Sequence, residues 1–527
     1  MSQKPDVPVL INGQWQCSAS DVGFQAFNPA TGNAMPEVYP VSNWKDCEAV
    51  LNSAADAAAQ LRKIPASQIA AFLEAYAQQI ESAKADLVEI ANQETALPKS
   101  PRLGDVELPR TTGQLRQAAA AATTGSWALP VIDTKANIRS CYLPIGPVCV
   151  FGPNNFPFAF NSVAGGDFAA AIAAGNPVIG KANTSHPGTT RKLAELAQAA
   201  VLETGLPRGT VQLLYRVSHD EGARLVSDSR LGAIGYTGSR HAGLVLKSAA
   251  DRVGKPIYLE LSSVNPVVLL PGALAERGND IITEFVTSVL MGTGQFCTNP
   301  GLIVALRSAE TEAFVQAVVG KFNEVSPGTL LSSGVKKSLT AAISVLTTAG
   351  AKLLCGGNAV DGQCSVQNTL LEVNADKFIA QPETFQTEAF GNASLVVIAE
   401  DVEQMRHVVA CLEGNLTGCI YSANSGSDDH AYDVIAGELT QRVGRVLNDK
   451  MPTGVAVSSA MNHGGPFPAT GHPGFTAVGI PASLLRFGKL TCFDAVRGHR
   501  LPWLLQDKNP TGKTYRMVDL QWTTADV

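Results

Sequence analysis

The chain has 527 residues, of which 45% are hydrophobic and 16% are charged, and its formal net charge at pH 7 is −6. This length and apolar content are sufficient for more than one packed core, and they predict a globular, multidomain protein. The net charge is small and like charges do not occur in runs, which argues against a nucleic-acid partner. We see no signal peptide and no apolar stretch long enough to span a membrane, which argues against a membrane partner. We therefore expect a cytoplasmic protein.

Residues 43–126 are predicted to be helical, because apolar residues recur three and four positions apart among strong helix formers. From about residue 140, helical stretches alternate with short β-type runs that end in turn residues. These runs are "GPVCVFGP", "NPVIGKAN", "GTVQLLYR", "LGAIGYTGS" and "PIYLELSSVNPVVLLPG". The alternation predicts β-α-β crossovers and a mostly parallel sheet with helices on both faces, as in nucleotide-binding α/β domains.

A second α/β unit is predicted beyond residue 280, where the alternation recurs. Its helices are "NDIITEFVTSVL" and "ETEAFVQAVVGKFNEV", and its strands are "GLIVAL", "ASLVVIAE" and "NLTGCIYSAN". The last forty residues, with "RLPWLLQDKNPTGKTYRMVDLQW", have no clear periodicity. They predict an irregular arm that could dock on a partner subunit.

Two turns follow predicted strands and carry groups that could bind anions. In "VFGPNNFPFAF" the side-chain amides of Asn154 and Asn155 could donate to a developing oxyanion, or they could only satisfy the backbone of the turn. In "GYTGSRHAG" three glycines lie where a strand gives way to a helix, so a cofactor pyrophosphate could approach the helix amides. The spacing is not G-x-G-x-x-G, and an ordinary glycine turn is equally compatible with it.

Two further residues could act as base and nucleophile. Glu260 lies between two leucines in "YLELSSVNP"; apolar surroundings would raise its pKa and make it a better proton acceptor, unless it faces solvent. Cys297 lies in "GTGQFCTNPG", where a turn could expose the thiol and a helix dipole could favour the thiolate; a buried structural cysteine is the alternative. The ten cysteines include no C-x-x-C pair, so we expect reduced thiols and no metal.

Taken together and in this order, these stretches resemble the aldehyde dehydrogenase superfamily. "PNNFP", "YTGS", "LELSSVNP" and "GQFC" are similar to its asparagine turn, cofactor turn, base strand and nucleophile loop, and "EAFG" (388–391) and "GPFPATG" (465–471) are similar to two later motifs. The resemblance implies the aldehyde dehydrogenase fold: an α/β protein with a Rossmann-like cofactor domain, an α/β catalytic domain and an oligomerisation ribbon.

The resemblance also implies domain boundaries and an assembly. The NAD(P)-binding domain would comprise residues 1–122 and 146–262, and the catalytic domain residues 263–485. Residues 123–145 and 486–527 would form the oligomerisation segments. We expect a homodimer or a homotetramer.

The implied reaction is the oxidation of an aldehyde to a carboxylic acid. The Cys297 thiolate would attack the carbonyl carbon, and the Asn155 side chain and the Cys297 backbone amide would hold the oxyanion of the thiohemiacetal. Hydride would pass to the nicotinamide. Glu260 would then deprotonate the water that hydrolyses the thioester.

The cofactor contacts implied by the motif matches are Lys181, Gly238, Ser239, Glu388 and Phe390. Many NAD-preferring members carry a glutamate three positions after the lysine, whereas this chain has Thr184, which would not repel a 2′-phosphate. Arg216, in the loop after the next strand, could pair with that phosphate or could be a solvated loop charge. We expect NADP in preference to NAD.

Departures from the family pattern point to a particular branch. The usual Gly-Gly after Leu-Glu-Leu is Ser262-Ser263, Thr298 and Asn299-Pro300 follow the cysteine, and Asn392 replaces a proline. With the C-terminal arm, these features resemble the branch that contains α-ketoglutaric semialdehyde (2,5-dioxopentanoate) dehydrogenases and an NADP-linked fatty aldehyde dehydrogenase. The predicted reaction is therefore oxidation of 2,5-dioxopentanoate to 2-oxoglutarate.

Three alternatives stay open. A medium- or long-chain fatty aldehyde would keep the chemistry and change only the pocket. A thiol hydrolase or acyltransferase would pair Cys297 with a histidine base, although no histidine lies in a motif that suggests one. A non-catalytic scaffold would not need the thiol at all.

Overall fold

The structure of the protein is a computed structural model that describes residues 4–527. Its α-helices, in chain order, are α1 (Trp44–Leu61), α2 (Ala66–Ser82), α3 (Lys84–Thr95), α4 (Leu108–Thr124), α5 (Gly166–Ala173), α6 (Pro187–Thr204), α7 (His219–Val226), α8 (Arg240–Asp251), α9 (Pro271–Leu290), α10 (Ala309–Glu324), α11 (Ser333–Thr348), α12 (Ala375–Ala380), α13 (Pro382–Phe385), α14 (Val402–Ala410), α15 (Asp429–Arg442) and α16 (Ala482–Leu485).

The strands, in the same order, are β1 (Val9–Ile11), β2 (Gln14–Gln16), β3 (Gly23–Phe24), β4 (Tyr39–Pro40), β5 (Val131–Asp133), β6 (Ile138–Pro144), β7 (Val148–Phe151), β8 (Val178–Lys181), β9 (Val211–Leu214), β10 (Ala233–Thr237), β11 (Ile257–Glu260), β12 (Pro266–Leu269), β13 (Leu302–Leu306), β14 (Lys352–Cys355), β15 (Thr369–Asn374), β16 (Ala393–Ala399), β17 (Asn415–Tyr421), β18 (Val443–Asn448), β19 (Gly488–Asp494), β20 (Arg516–Val518) and β21 (Gln521–Thr523).

The helical opening predicted from periodicity is confirmed by α1 to α4, with a π-helical segment at Lys99–Glu107 between the last two. Helix α1 begins where the Asn43 side chain accepts hydrogen bonds from two backbone amides of the first turn, and it buries its apolar face. Helix α4 ends at Gly125, which adopts φ 68°. A glycine suits that left-handed position because it has no Cβ to clash.

The first sheet confirms the predicted parallel unit and places the motif turns along one edge. Its strand order is β11-β10-β7-β8-β9-β1-β2, with the first five strands parallel and the β1–β2 hairpin antiparallel at the far edge. Strands β7, β8, β10 and β11 all end at the same edge, because carboxyl ends of parallel strands coincide. The turns after these strands carry Asn155, Thr184 and Ser239, and Glu260 ends β11.

The second sheet confirms the second α/β unit. Its order is β14-β15-β16-β13-β12-β17-β18, parallel except for β14. Successive residues of β12 point to opposite faces: Val268 joins one core cluster, and Val267 and Leu269 join the other. Helices therefore cover both faces, and residues 261–265 carry the chain from the first sheet to the second.

A third sheet corrects the prediction of an irregular C-terminal arm. Strands β19-β6-β5-β20-β21 pair, and β20 runs parallel to β5 with Met517 opposite Val131. Arg516 is fully buried, and its guanidinium donates to the carbonyl oxygens of Gln506, Asp507 and Ala525. Strands β20 and β21 have only three residues each, which is too short to give a periodicity, so the sequence did not reveal them.

All ten cysteines are free thiols. Among residues 4–527, no helix combines the length and the apolar character that a membrane crossing requires. The domain boundaries stay predictions.

Candidate active site

The loop that carries Cys297 is fixed by an asparagine from the inter-sheet linker. Asn265 is fully buried at φ 49°, and its side-chain nitrogen donates to the carbonyl oxygens of Cys297 (2.8 Å) and Asn299 (2.9 Å). The Asn415 side-chain oxygen accepts from the backbone N–H groups of Val264 (2.9 Å) and Asn265 (3.1 Å). The start of β17 thus fixes the linker, and the linker fixes the cysteine loop.

A histidine that the motif search missed lies between Cys297 and Glu260. His463 Nε2 is 3.3 Å from Cys297 Sγ and 2.9 Å from Glu260 Oε1, and both Glu260 and His463 are only 1% exposed. No sequence motif had suggested a histidine beside the thiol. His463 comes from a loop far along the chain, and the only local signal was its position directly before the "GPFPATG" motif.

The surroundings of Cys297 favour the protonated thiol over the thiolate. Burial raises the pKa of the thiol well above its usual value, and the neighbouring Glu260 carboxylate raises it further. Arg110 acts in the opposite direction but does not outweigh them. The expected stabilisation of the thiolate by a helix dipole is therefore wrong for the protein without ligands, and activation requires a proton acceptor.

The Asn155 side chain is held beside the cysteine loop. Its Nδ2 donates to the carbonyl oxygen of Gln295 at 3.0 Å, which leaves the second N–H of the amide for another acceptor. The backbone carbonyl of Asn155 accepts from Arg102 at 3.0 Å. The backbone N–H of Cys297 donates to no group within residues 4–527. Two donors next to the thiol suit a developing oxyanion.

A cleft of about 690 Å³ runs from these residues along the carboxyl edge of the first sheet. The sequence-predicted residues in its wall are Asn155, Thr184, Gly238, Ser239, Glu260, Cys297, Glu388 and Phe390. Lys181 and Arg216 lie outside this wall, with Arg216 exposed in the loop after β9. Burial, with a smaller contribution from Arg216, lowers the pKa of Lys181 to about 8, so the two cations are near enough to interact.

Helix α8 begins at the cleft. Ser239 is its N-cap, and Gly238 donates its backbone N–H to the Glu260 carbonyl oxygen at 3.1 Å. Free amides of a first turn suit the phosphates of a dinucleotide. Across the cleft, burial raises the pKa of Glu388 to about 7, while the Ser262 hydroxyl and the Ser263 backbone N–H oppose this shift. Glu388 is a suitable acceptor for ribose hydroxyls, and this wall therefore fits NAD(P).

Next to Cys297 in the chain, Phe296 belongs to a packed cluster of two arginines and three phenylalanines, called here the arginine–phenylalanine cluster: Arg102, Arg110, Phe156, Phe160 and Phe296. The rings of Phe156 and Phe296 meet edge to face at 5.4 Å, and Phe160 meets Phe156 at 5.1 Å. Phe160 also lies 5.6 Å from the His463 ring. Phe296, which directly precedes Cys297, is thus held by contacts with Phe156 and Arg102.

The two arginines differ in their partners. Arg102 forms an ion pair with the buried Glu107 carboxylate, which also accepts from the Phe158 backbone N–H at 2.8 Å. Arg110, on α4, stacks over the phenylalanine rings, and its Nε and Nη2 are buried without a hydrogen-bond partner within residues 4–527. A buried guanidinium without an acceptor is costly unless a ligand supplies one.

The departures from the family pattern also have structural roles. The Ser263 hydroxyl accepts from the Leu416 backbone N–H at 3.0 Å and lies 3.1 Å from the Asn415 side-chain oxygen. Asn392 is fully buried and donates to the Val366 carbonyl oxygen at 2.9 Å. These side chains fix the loops around the cleft.

Comparison with known proteins agrees with this site. Residues 15–465 match the aldehyde dehydrogenase family. The chain is 38% identical to alpha-ketoglutaric semialdehyde dehydrogenase 2 of Azospirillum brasilense, covering 95% of this chain and 97% of that protein. It is 34% identical to alpha-ketoglutaric semialdehyde dehydrogenase of Acinetobacter baylyi, covering 95% and 96%. The crystal structure of lactaldehyde dehydrogenase from Escherichia coli matches with a TM-score of 0.80 at 20% identity, covering 92% of this chain and 98% of that chain.

A cysteine, a carboxylate and a cleft for a nucleotide define the class as a thiol-dependent oxidoreductase. The chain belongs to the aldehyde dehydrogenase family, and it is an NAD(P)-dependent oxidoreductase that acts on aldehydes.

Proposed function

We propose that this protein oxidises 2,5-dioxopentanoate (α-ketoglutaric semialdehyde) to 2-oxoglutarate. Both relatives above carry this substrate in their names and match nearly the full chain. The observation that carries the proposal here is Arg110. Its unpaired guanidinium is close enough to Cys297 for each to change the pKa of the other.

An α-keto acid tail supplies what Arg110 lacks. A carboxylate can accept both free N–H groups in a bidentate pair, and the adjacent keto oxygen adds another acceptor. Glu107 does not neutralise Arg110, because its carboxylate is already paired with Arg102. The arginine–phenylalanine cluster therefore contains one guanidinium more than its carboxylates pair.

The same cluster disfavours the fatty aldehyde alternative. An alkyl tail in this position would bury Arg110 against carbon and leave its two N–H groups without acceptors, at a cost of about 1–3 kcal/mol or more. The phenylalanine rings then serve to position the short methylene chain between the aldehyde and the acid.

For the reaction we propose the following roles. The Cys297 proton moves to His463 Nε2 and from there to Glu260 Oε1, since this one nitrogen is within hydrogen-bond distance of both. The thiolate attacks the aldehyde carbon, and the Asn155 amide and the Cys297 N–H hold the oxyanion. Bound NAD(P) supplies the hydride acceptor. Glu260 passes this first proton to solvent before the thioester is hydrolysed. It then takes a proton from the water that attacks the thioester, and this proton goes to sulfur when the C–S bond breaks, which releases the acid and the thiol.

For the cofactor we propose NADP in preference to NAD, held through Lys181, Thr184, Gly238, Ser239, Glu388 and Phe390, with Arg216 on the 2′-phosphate. Thr184 lines the cleft without bringing a negative charge, and the two cations Lys181 and Arg216 lie together behind it. We also propose the three-part domain division and a homo-oligomer joined through the third sheet.

The substrate proposal is tested by Arg110→Met with two substrates, 2,5-dioxopentanoate and pentanal. Loss of a charge-assisted contact of about 1.5–3 kcal/mol should lower kcat/KM for the keto acid about 10- to 100-fold. The kcat/KM for pentanal, which has no carboxylate, should stay the same or rise. Arg116→Met, on the exposed face of the same helix, is the matched control. Equal losses for both substrates would refute a carboxylate contact.

A further inference from the structure

Three donor atoms of different chemical type converge at the end of β11. His463 Nε2 lies 3.3 Å from Cys297 Sγ and 2.9 Å from Glu260 Oε1, and all three atoms lie within 4.8 Å of one another. Tetrahedral zinc, with bonds of about 2.0–2.3 Å, separates its ligand atoms by about 3.3–3.6 Å. Small side-chain rotations would place all three donors on one ion.

We propose that Cys297, His463 and Glu260 form an inhibitory site for Zn²⁺ or a similar thiophilic divalent cation. A second feature points to a ligand: Glu260 Oε2 is buried and has no hydrogen-bond partner in the chain from residue 4 onward. Sulfur, imidazole and carboxylate donors favour zinc over magnesium or calcium. Three protein ligands leave a fourth position for water.

The ion can reach this site without unfolding, because Glu260 and Cys297 line the open cleft. When the Zn–S bond forms, the thiol proton leaves to solvent. The thiolate and the carboxylate then supply two negative charges that attract the cation. The nearby positive guanidiniums of Arg110 and Arg445 oppose this attraction. The metal would bind both the Cys297 sulfur and the Glu260 carboxylate, so neither could act in the reaction. Oxidation of the aldehyde would stop until a chelator removes the ion.

Cobalt(II) is the spectroscopic probe for this site, used on the full-length, chelator-treated protein without oxygen. We expect one cobalt per chain with the d–d bands of a tetrahedral ion and a thiolate-to-cobalt charge-transfer band, and we expect zinc to displace it. Cys297→Ser and His463→Asn should each lose the charge-transfer band. His472→Asn, which changes an exposed histidine of the same region, should keep it. Absence of the band in the wild type, or its persistence in Cys297→Ser, would refute the site.

Alkylation gives an independent readout. Zinc should slow the modification of Cys297 by iodoacetamide at least about tenfold in the wild type and in His472→Asn, and a chelator should restore the rate. In His463→Asn zinc should have little effect on that rate. An unchanged rate in the wild type would contradict the proposal. Neither measurement requires turnover, so its failure is distinct from failure of the proposed substrate.

Discussion

Cys297 carries its proton in the ligand-free protein because two effects act in the same direction. Burial is the larger, and the Glu260 carboxylate adds to it. The residue proposed as the base therefore also disfavours the thiolate of the proposed nucleophile. This coupling can be measured without substrate, because the thiolate is the form that reacts with alkylating reagents.

The first prediction concerns this coupling. Between pH 7 and 9, the rate of Cys297 alkylation should rise about tenfold per pH unit without a plateau, since burial and the Glu260 carboxylate hold the thiol pKa well above that of a free cysteine. Glu260→Gln removes a negative neighbour, which lowers the thiol pKa and should speed alkylation at pH 8. The same variant should slow steady-state oxidation by about 100-fold or more, because the thioester loses its base. Slower alkylation in Glu260→Gln would contradict the coupling.

The second prediction concerns the choice of cofactor. Arg216→Ala should raise the KM for NADP about 5- to 10-fold and leave that for NAD unchanged, because only NADP carries the 2′-phosphate. Thr184→Glu should favour NAD by placing a negative charge beside that phosphate. Arg252→Ala, an exposed arginine at the end of α8, should change neither constant. An unchanged NADP constant in Arg216→Ala would rule out the phosphate contact.

At the scale of elements, the site depends on the short linker between β11 and β12. It leaves the first sheet at Glu260 and enters the second at Pro266, and on the way Asn265 reaches across to the cysteine loop. The base and the support of the nucleophile thus belong to one segment. A shift of this linker would move both groups at once.

The third prediction tests that support. Asn265→Ala should destabilise the protein by about 2–4 kcal/mol, because the carbonyls of Cys297 and Asn299 lose their donor and alanine at φ 49° is strained. Asn265→Gly loses the same hydrogen bonds without that strain and should recover about 1 kcal/mol of the difference. Both variants should lower kcat, since in each the loop that carries Cys297 has lost its hydrogen bonds to residue 265. Urea unfolding and steady-state kinetics measure the two effects, and a wild-type kcat in either variant would exclude a positioning role.

For the whole molecule, residues that follow parallel strands were predictable and residues brought in from elsewhere were not. Asn155, Glu260 and Cys297 lie in local motifs, and the carboxyl ends of neighbouring strands bring the first two to one edge. His463 and Arg110 gave no such signal, because a loop residue and a helix residue reach the site only through tertiary packing. The strands of the C-terminal arm were missed for a related reason: β20 and β21 have only three residues each, and β19 and β20 pair with β6 and β5, which lie far away in sequence.

The last prediction concerns assembly, which the third sheet is proposed to mediate. Its edge strand β19 exposes Leu490 (60%), and the strand at the opposite edge, β21, exposes Trp522 (51%), so both edges carry apolar side chains that a second copy of the sheet could cover. Leu490→Glu should place a charge in that interface and shift the protein towards monomers in light scattering after size-exclusion chromatography. Leu202→Glu, at an equally exposed leucine (57%) on α6, should leave the oligomer intact. If Leu202→Glu dissociates the oligomer and Leu490→Glu does not, the subunits meet through the helical face of the first sheet instead.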